Sequence, residues 1–203
     1  MITDPPRKRL PPSQRRTLIV EAAGRLFGEH GYAGTTLEQI ASAAGVTKPI
    51  LYRHFDSKRG LYLALLARHR DDLAGFIELI PGAGSSEDRL RPVLDVWLEY
   101  VETHSYSWQM LFRDTGGGPE VRAFRGEVHG QARGVLIGII GSLSANPIPA
   151  RELEPLAELL SMGMASLVLW WIEEGAVSRE VLLDALVRAW AGVVAPAPPS
   201  AGR

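Results

Sequence analysis

The sequence predicts an all-α protein in which a small N-terminal three-helix unit is joined to a larger helical one. Three observations carry that reading. Apolar residues recur at helical spacing along most of the 203 residues. Sustained period-two alternation is missing, as are Asn-Gly and Asp-Gly hairpin turns. The stretch PGAGSSED at 81–88 interrupts the pattern and separates a compact head from longer helical segments.

The elements follow in order. From about Ser13 to Glu29, the residues Ile19, Ala22, Ala23, Leu26 and Phe27 form one apolar stripe, and Gly31 supplies a C-terminal stop. TTLEQIASAAGV then reads as a short helix. Thr36 and Gln39 have capping-box spacing, Leu37, Ile40 and Ala41 face inward, and Gly45 ends it. Thr47 is placed to cap a third helix with Ile50, Leu51 and Phe55 apolar. A fourth starts at Asp56 or Ser57 and continues to about Ile80. Longer patterns cover roughly 87–102, where Pro92 sits in the first turn or kinks the helix, then 107–113, 120–143, 151–174 and 178–194. Gly175 separates the last two and Ser178 caps the second.

Composition narrows the class. There is no cysteine, which excludes a disulfide framework and cysteine-ligated metal sites. No uninterrupted apolar run reaches the roughly 18 residues of a membrane span. The basic, proline-rich start is followed by an amphipathic stretch and not by a signal-peptide core, so a cytoplasmic location without membrane association is expected. The net charge of −1 is unevenly spread: residues 1–60 hold ten Lys/Arg against five Asp/Glu, and the remainder twelve against eighteen. A basic head on an acidic body suits a head that meets a polyanion.

Two short helices joined by AAGVT have helix-turn-helix spacing. Gly45 relieves the tight turn, and Ala41 and Ala44 let the helices approach. Leu51 and Phe55, four apart, share the buried side, which turns Lys48, Pro49, Tyr52 and Arg53 outward. Such a helix can enter a major groove and read base edges with Lys48 or Arg53. Lys58 and Thr36, each opening a helix, are placed near phosphates, and Thr35 similarly. The stretch RRTLIVEAAGRLFGEHGYAGTTLEQIASAAGVTKPILYRHFDSKRGLYLALL, residues 15–66, closely resembles the N-terminal DNA-binding domain of TetR-family transcriptional regulators. The resemblance implies base or phosphate contacts for Thr47, Lys48, Pro49, Tyr52 and His54, backbone contacts for Lys58 and Thr36, and sequence preference at Arg53. His54 equally suits a packing role at the helix end. The arm PPRKRLPPSQRR holds five Lys/Arg between Arg7 and Arg16 and is set either to follow the duplex or to remain a solvated tail.

Composition predicts a basic, Pro-rich disordered arm at 1–12 and a disordered tail at 196–203, and the resemblance implies a helix-turn-helix DNA-binding domain at 13–60 and a helical ligand-binding and dimerisation domain at 61–195. LLSMGMASLVLWWIEEG is apolar nearly all round, with Gly163, Ala165 and Ser166 allowing close helix approach. The final helix carries Val181, Leu182, Ala185, Leu186, Ala189 and Val193 on one stripe. These two helices resemble the pair that builds a homodimer interface in the family; completing a monomeric core is the other use for them. Pocket candidates are Trp97, Tyr100, His104, Trp108, Phe112, Phe124, His129, Met162 and Trp170, bulky groups with occasional polar tips. Each alone also suits plain core packing. No metal or cofactor site has the needed spacing, and no catalytic motif appears. The expectation is a non-enzymatic, ligand-responsive DNA-binding regulator, most simply a repressor released from a palindromic operator by a lipophilic small molecule. The alternatives are a helical small-molecule-binding protein with a non-reading helix-turn-helix, or a dimeric adaptor.

Overall fold

The computed structural model describes residues 11–79, 84–114, 116–144 and 146–194. Among the described residues every regular element is helical: α1 (Pro12–Gly34), α2 (Leu37–Ala43), α3 (Lys48–Tyr52), α4 (Lys58–Gly75), α5 (Ser86–Thr103), α6 (Ser105–Trp108), α7 (Gly118–Leu143), α8 (Ala150–Glu174) and α9 (Arg179–Val194). A 3₁₀ turn, Phe76–Leu79, follows α4, and a π-helical segment, Gln109–Arg113, follows α6. The expected arm and tail lie, apart from the start of α1, outside the described residues.

Local sequence explains the element ends. Gly31 has φ 69° and ψ 174°, so α1 breaks there and resumes for one short turn. Thr36 and Gln39 form a complete capping box, and Gly45 turns the chain with φ 64°. Ser57 caps α4 by accepting from the Gly60 N–H, and Ser85 with Asp88 caps α5. Thr47 stands at the N-cap of α3 but makes no side-chain cap bond, contrary to the sequence expectation. Pro92 lies within α5, past the first turn that would most readily hold it. The expected extension of α4 to Ile80 ends earlier, at the Gly75 to Phe76 change of helix type.

Buried side chains gather in two clusters. One joins α1 to α4, through Ile19, Phe27, Ile40, Leu51, Leu61, Leu65 and Leu66, with Met110, Leu111, Val121 and Val128. The other joins α5, α8, α9 and the C-terminal half of α7, through Leu98, Ile140, Val168, Leu186 and Trp190. Leu73 and Phe112 pack against both. The head's core therefore runs past residue 60 into α4 and takes residues from α7, so α4 and the π segment are shared walls.

Candidate nucleic-acid interface and ligand cavity

The reading face of the head is held from behind. Leu51 and Phe55 are buried, and the Arg16 guanidinium lies 5.2 Å from the centre of the Phe55 ring. Thr47, Lys48, Pro49, Tyr52 and Arg53 are left exposed, and His54 is half-buried. Lys48 pairs with Glu38 of α2 and its ammonium sits 5.9 Å from the Tyr52 ring centre. The same hydrogen bond holds the Glu38 carboxyl below, and the Lys48 ammonium above, their ordinary pKa values. Glu38, Lys48 and Tyr52 thus form one tethered, exposed set across the two helices.

Two residues assigned to phosphate do other work here. Thr35 is fully buried, with its hydroxyl 3.0 Å from the Leu26 carbonyl and 2.9 Å from that of Gly31. Lys58 donates to the carbonyls of Tyr32 (2.8 Å) and Thr35 (2.9 Å), and its ammonium lies 4.4 Å from the Tyr32 ring centre. The reason is electrostatic: carbonyls at the end of α1 lack intrahelical partners and carry partial negative charge, and α4 begins beside them. Two of the three Lys58 donors are occupied in this way. Thr36 stays exposed, its hydroxyl engaged with Gln39.

Head and body meet at a closed polar cluster. Asp114 accepts from the Tyr32 N–H (2.7 Å), the Tyr62 hydroxyl (2.9 Å) and the Gly116 N–H (2.8 Å). Arg125 of α7 reaches it at 3.5 Å and donates to the Tyr62 hydroxyl (2.7 Å) and the Met110 carbonyl (3.1 Å). Burial raises the Tyr62 pKa, so the phenol keeps its proton to donate. Nearby, Gly24 and Gly28 of α1 let Tyr106 of α6 lie directly on the helix; a Cβ on Gly28 would stand 2.7 Å from the Tyr106 Cβ.

A third set is centred on His69, fully buried on α4. Its Nδ1 lies 2.6 Å from the Tyr100 hydroxyl and its Nε2 2.6 Å from that of Ser107, while Tyr100 donates to Asp72 at 3.0 Å. A neutral ring with its proton on Nδ1 satisfies all four groups. Burial, then the charges of His104 and Arg68, push the His69 pKa down to about 3.

Between the two hydrophobic clusters lies a cavity of about 140 Å³. Its walls come from α4 and the 3₁₀ turn (Leu73, Ala74, Phe76), α5 (Leu90, Leu94, Trp97), the α6–π segment (Trp108, Leu111, Phe112), α7 (Val128, His129, Ala132, Leu136), α8 (Ser161, Met164) and α9 (Trp190). Charge is nearly absent from the lining. Arg70, the one charged member, is bound to Asp71 at 2.8 Å and lies over Phe124.

Outside, α8 is covered incompletely. Only 22% of its most apolar 18-residue stretch is buried, and by length and composition this helix is long and apolar enough to cross a membrane. Leu159, Met162, Gly163, Ser166 and Trp170 are exposed along one face, and Val181, Ala185 and Ala189 are exposed on α9.

Comparison with known proteins now adds to this geometry. Residues 19–65 match the model of the family described as bacterial regulatory proteins, tetR family. The match covers the helix-turn-helix head. The HTH-type transcriptional activator FasR of Mycolicibacterium smegmatis is 36% identical over 107 residues, 52% of this chain and 49% of FasR. The HTH-type transcriptional repressor KstR2 of Rhodococcus jostii is 34% identical over 103 residues, 50% of each chain. This chain spans about half the length of these curated relatives. The crystal structure of a TetR-family transcriptional regulator from Streptomyces coelicolor is similar with a TM-score of 0.71 and 26% identity, covering 89% of this chain and 80% of that one.

The pocket candidates divide. Trp97, Trp108, Phe112 and His129 line the cavity. Tyr100 and His104 do not; they stack on each other, ring centres 4.4 Å apart, in the His69 set. Phe124 packs on the head's cluster beneath Arg70. Met162 and Trp170 are corrections: both are exposed on the outer face of α8, at 38% and 42%, because an all-round apolar helix does not disclose its inward register. Ser161 and Met164 are the α8 residues that face the cavity. Asp114, Arg125 and His69 escaped sequence reading, since single charged or polar residues far apart in the chain give no periodic signal. Gly24 and Gly28 did leave one, a four-residue spacing of small residues on α1.

Proposed function

We propose that this chain is a ligand-responsive transcriptional regulator that binds palindromic operator DNA as a homodimer and is released by a lipophilic small molecule. The observation that carries the reading is the exposed set Thr47, Lys48, Pro49, Tyr52 and Arg53 on a helix anchored by buried Leu51 and Phe55. Rigid backing with exposed cations and an aromatic is what major-groove readout requires. The apolar cavity supports a lipophilic ligand, and the uncovered face of α8 and α9 supports the dimer. Repression is the sign adopted, as in the name of KstR2; FasR is named an activator, so promoter output decides the sign. Neither catalysis nor a resident cofactor has a part in this reading, and the work is cytoplasmic.

The test is fluorescence anisotropy on duplex DNA from upstream of the chain's own gene against scrambled DNA, over a salt series. The expected result is a specificity ratio of at least roughly 10³ with two chains per palindromic duplex. Lys48→Ala should weaken binding and lower the salt slope by about one, and Tyr52→Ala should reduce the ratio. Equal weak binding to both duplexes, with random-duplex selection yielding no preferred sequence, would favour a small-molecule-binding protein that keeps its helix-turn-helix as scaffold.

A further inference from the structure

Among the described residues, five buried side-chain nitrogens have no hydrogen-bond partner, and three of them belong to residues that line the cavity: Trp108 Nε1, Trp190 Nε1 and His129 Nε2. Trp108 is 5% exposed and Trp190 2%. An indole N–H can only donate, so each is a buried donor with no use in the empty protein. Buried donors are ordinarily satisfied, and three unsatisfied nitrogens around one cavity mark where a guest's polar atoms belong. Contrast Trp171, whose Nε1 donates to the Val177 carbonyl at 3.0 Å away from the cavity.

The rest of the lining limits what that guest is. Apart from Arg70 and His129, the other polar members of the wall are Gln131 and Ser161, and the remaining lining is apolar. No unpaired guanidinium or ammonium faces it among the described residues, since Arg70 is engaged with Asp71 through both Nε and a terminal nitrogen. A carboxylate would enter without a permanent counter-charge, at a desolvation cost that a neutral acceptor avoids.

We propose that the cavity takes a neutral ligand with an apolar body and at least one acceptor oxygen, of the ketone or ester class, held by the indole N–H of Trp108 or Trp190. This rests on the reading of the cavity as the effector site and adds the chemistry that the effector carries.

A pair of isosteres tests it: acetophenone and α-methylstyrene differ only by a carbonyl oxygen in place of a methylene, and benzoate supplies an anionic arm. Calorimetric titration of the full chain should show acetophenone bound about ten- to hundred-fold more tightly than α-methylstyrene, the range expected when a buried donor gains its acceptor. Benzoate should bind more weakly than acetophenone. In ¹⁵N-edited NMR, an indole N–H resonance assigned to Trp108 or Trp190 should move downfield with acetophenone and not with α-methylstyrene. The double substitution Trp108→Phe, Trp190→Phe keeps a smaller aromatic ring at each place and should reduce the preference to less than about threefold, whatever the change in α-methylstyrene affinity itself. Should that variant not fold, the wild-type ratio and the indole shifts decide alone. Equal affinities for the two isosteres would overturn the acceptor inference and leave the cavity as an apolar site. Preference for benzoate would overturn the neutral class. If none of the three binds, the cavity reading itself fails, and the inference with it.

Discussion

The junction between head and body and the wall of the cavity both bury polar atoms, but they leave them in opposite states. At the junction, Asp114, Tyr62, Arg125 and the Tyr32 N–H satisfy one another. Across the cavity, Trp108, Trp190 and His129 each keep a nitrogen without a partner. A closed set fixes one arrangement of α1, α4 and α7, because moving any member strands the others. An open set leaves interaction unrealised until a guest arrives. The elements are contiguous: α7 carries Val128 and His129 in the cavity wall and, one turn earlier, Arg125 in the junction.

The sharpest way to break the comparison is to delete one member of each set. Arg125→Ala leaves the Asp114 carboxylate without its counter-charge, held by three neutral donors, and should cost about 3 kcal/mol, the low end for loss of one partner of a buried ion pair. Trp108→Phe removes a donor that bonds to nothing in the empty protein and should cost only about 1–2 kcal/mol, from the lost ring volume and not from a hydrogen bond. Urea unfolding of the two variants beside wild type measures both. Equal losses would mean that the indole nitrogen is satisfied in solution, and the contrast between the sets would be lost.

The His69 set sharpens the comparison through pH. The ring's pKa is lowered to about 3 from an ordinary 6.5. Between these values the unfolded chain holds the extra proton and the folded one does not. The contribution is therefore complete above pH 6.5 and declines as pH falls toward 3, by about 1.4 kcal/mol per unit at most. Groups facing the ring are Tyr100, His104, Tyr106 and Ser107, with Asp72 and Arg68 beyond them. His69→Asn should flatten the stability profile between pH 4 and 6.5 relative to wild type. Parallel profiles would show that the acid loss comes from other groups.

What sequence disclosed and what it hid follow the same division between local and distant. The capping box at Thr36, the turn at Gly45 and the buried pair Leu51 and Phe55 are relations within four residues, so periodicity and capping rules reach them. The junction joins residues 52 and 63 positions apart, Tyr62 to Asp114 and to Arg125, and no spacing announces that. Lys58 illustrates a subtler loss. Its place at the start of α4 was legible, yet the carbonyls that hold it belong to residues 26 and 23 positions earlier. On α8, Met162 and Met164 are equally apolar, and only three-dimensional packing sends one outward and the other to the cavity.

The smallest contrast concerns glycines that look alike in sequence. Gly28 lies within α1 and Gly134 within α7, and alanine is intrinsically the better helix former at both by about 1 kcal/mol. A Cβ on Gly134 meets nothing within 4 Å, so Gly134→Ala should stabilise by up to that amount. At Gly28 the new carbon would approach the Tyr106 backbone Cα to 2.9 Å and the Gln109 side-chain oxygen to 2.8 Å. Backbone yields poorly, so α6 would have to lift from α1, and overpacking of this kind costs about 1–3 kcal/mol. Thermal melts should then move in opposite directions for two chemically identical substitutions. Because α6 leads directly into Trp108 of the cavity wall, Gly28→Ala should also weaken acetophenone binding, whereas Gly134→Ala should not. A Gly28→Ala chain that melts like Gly134→Ala would mean that Tyr106 does not rest on α1 in solution, and that head and body are joined through Asp114 and Arg125 without it.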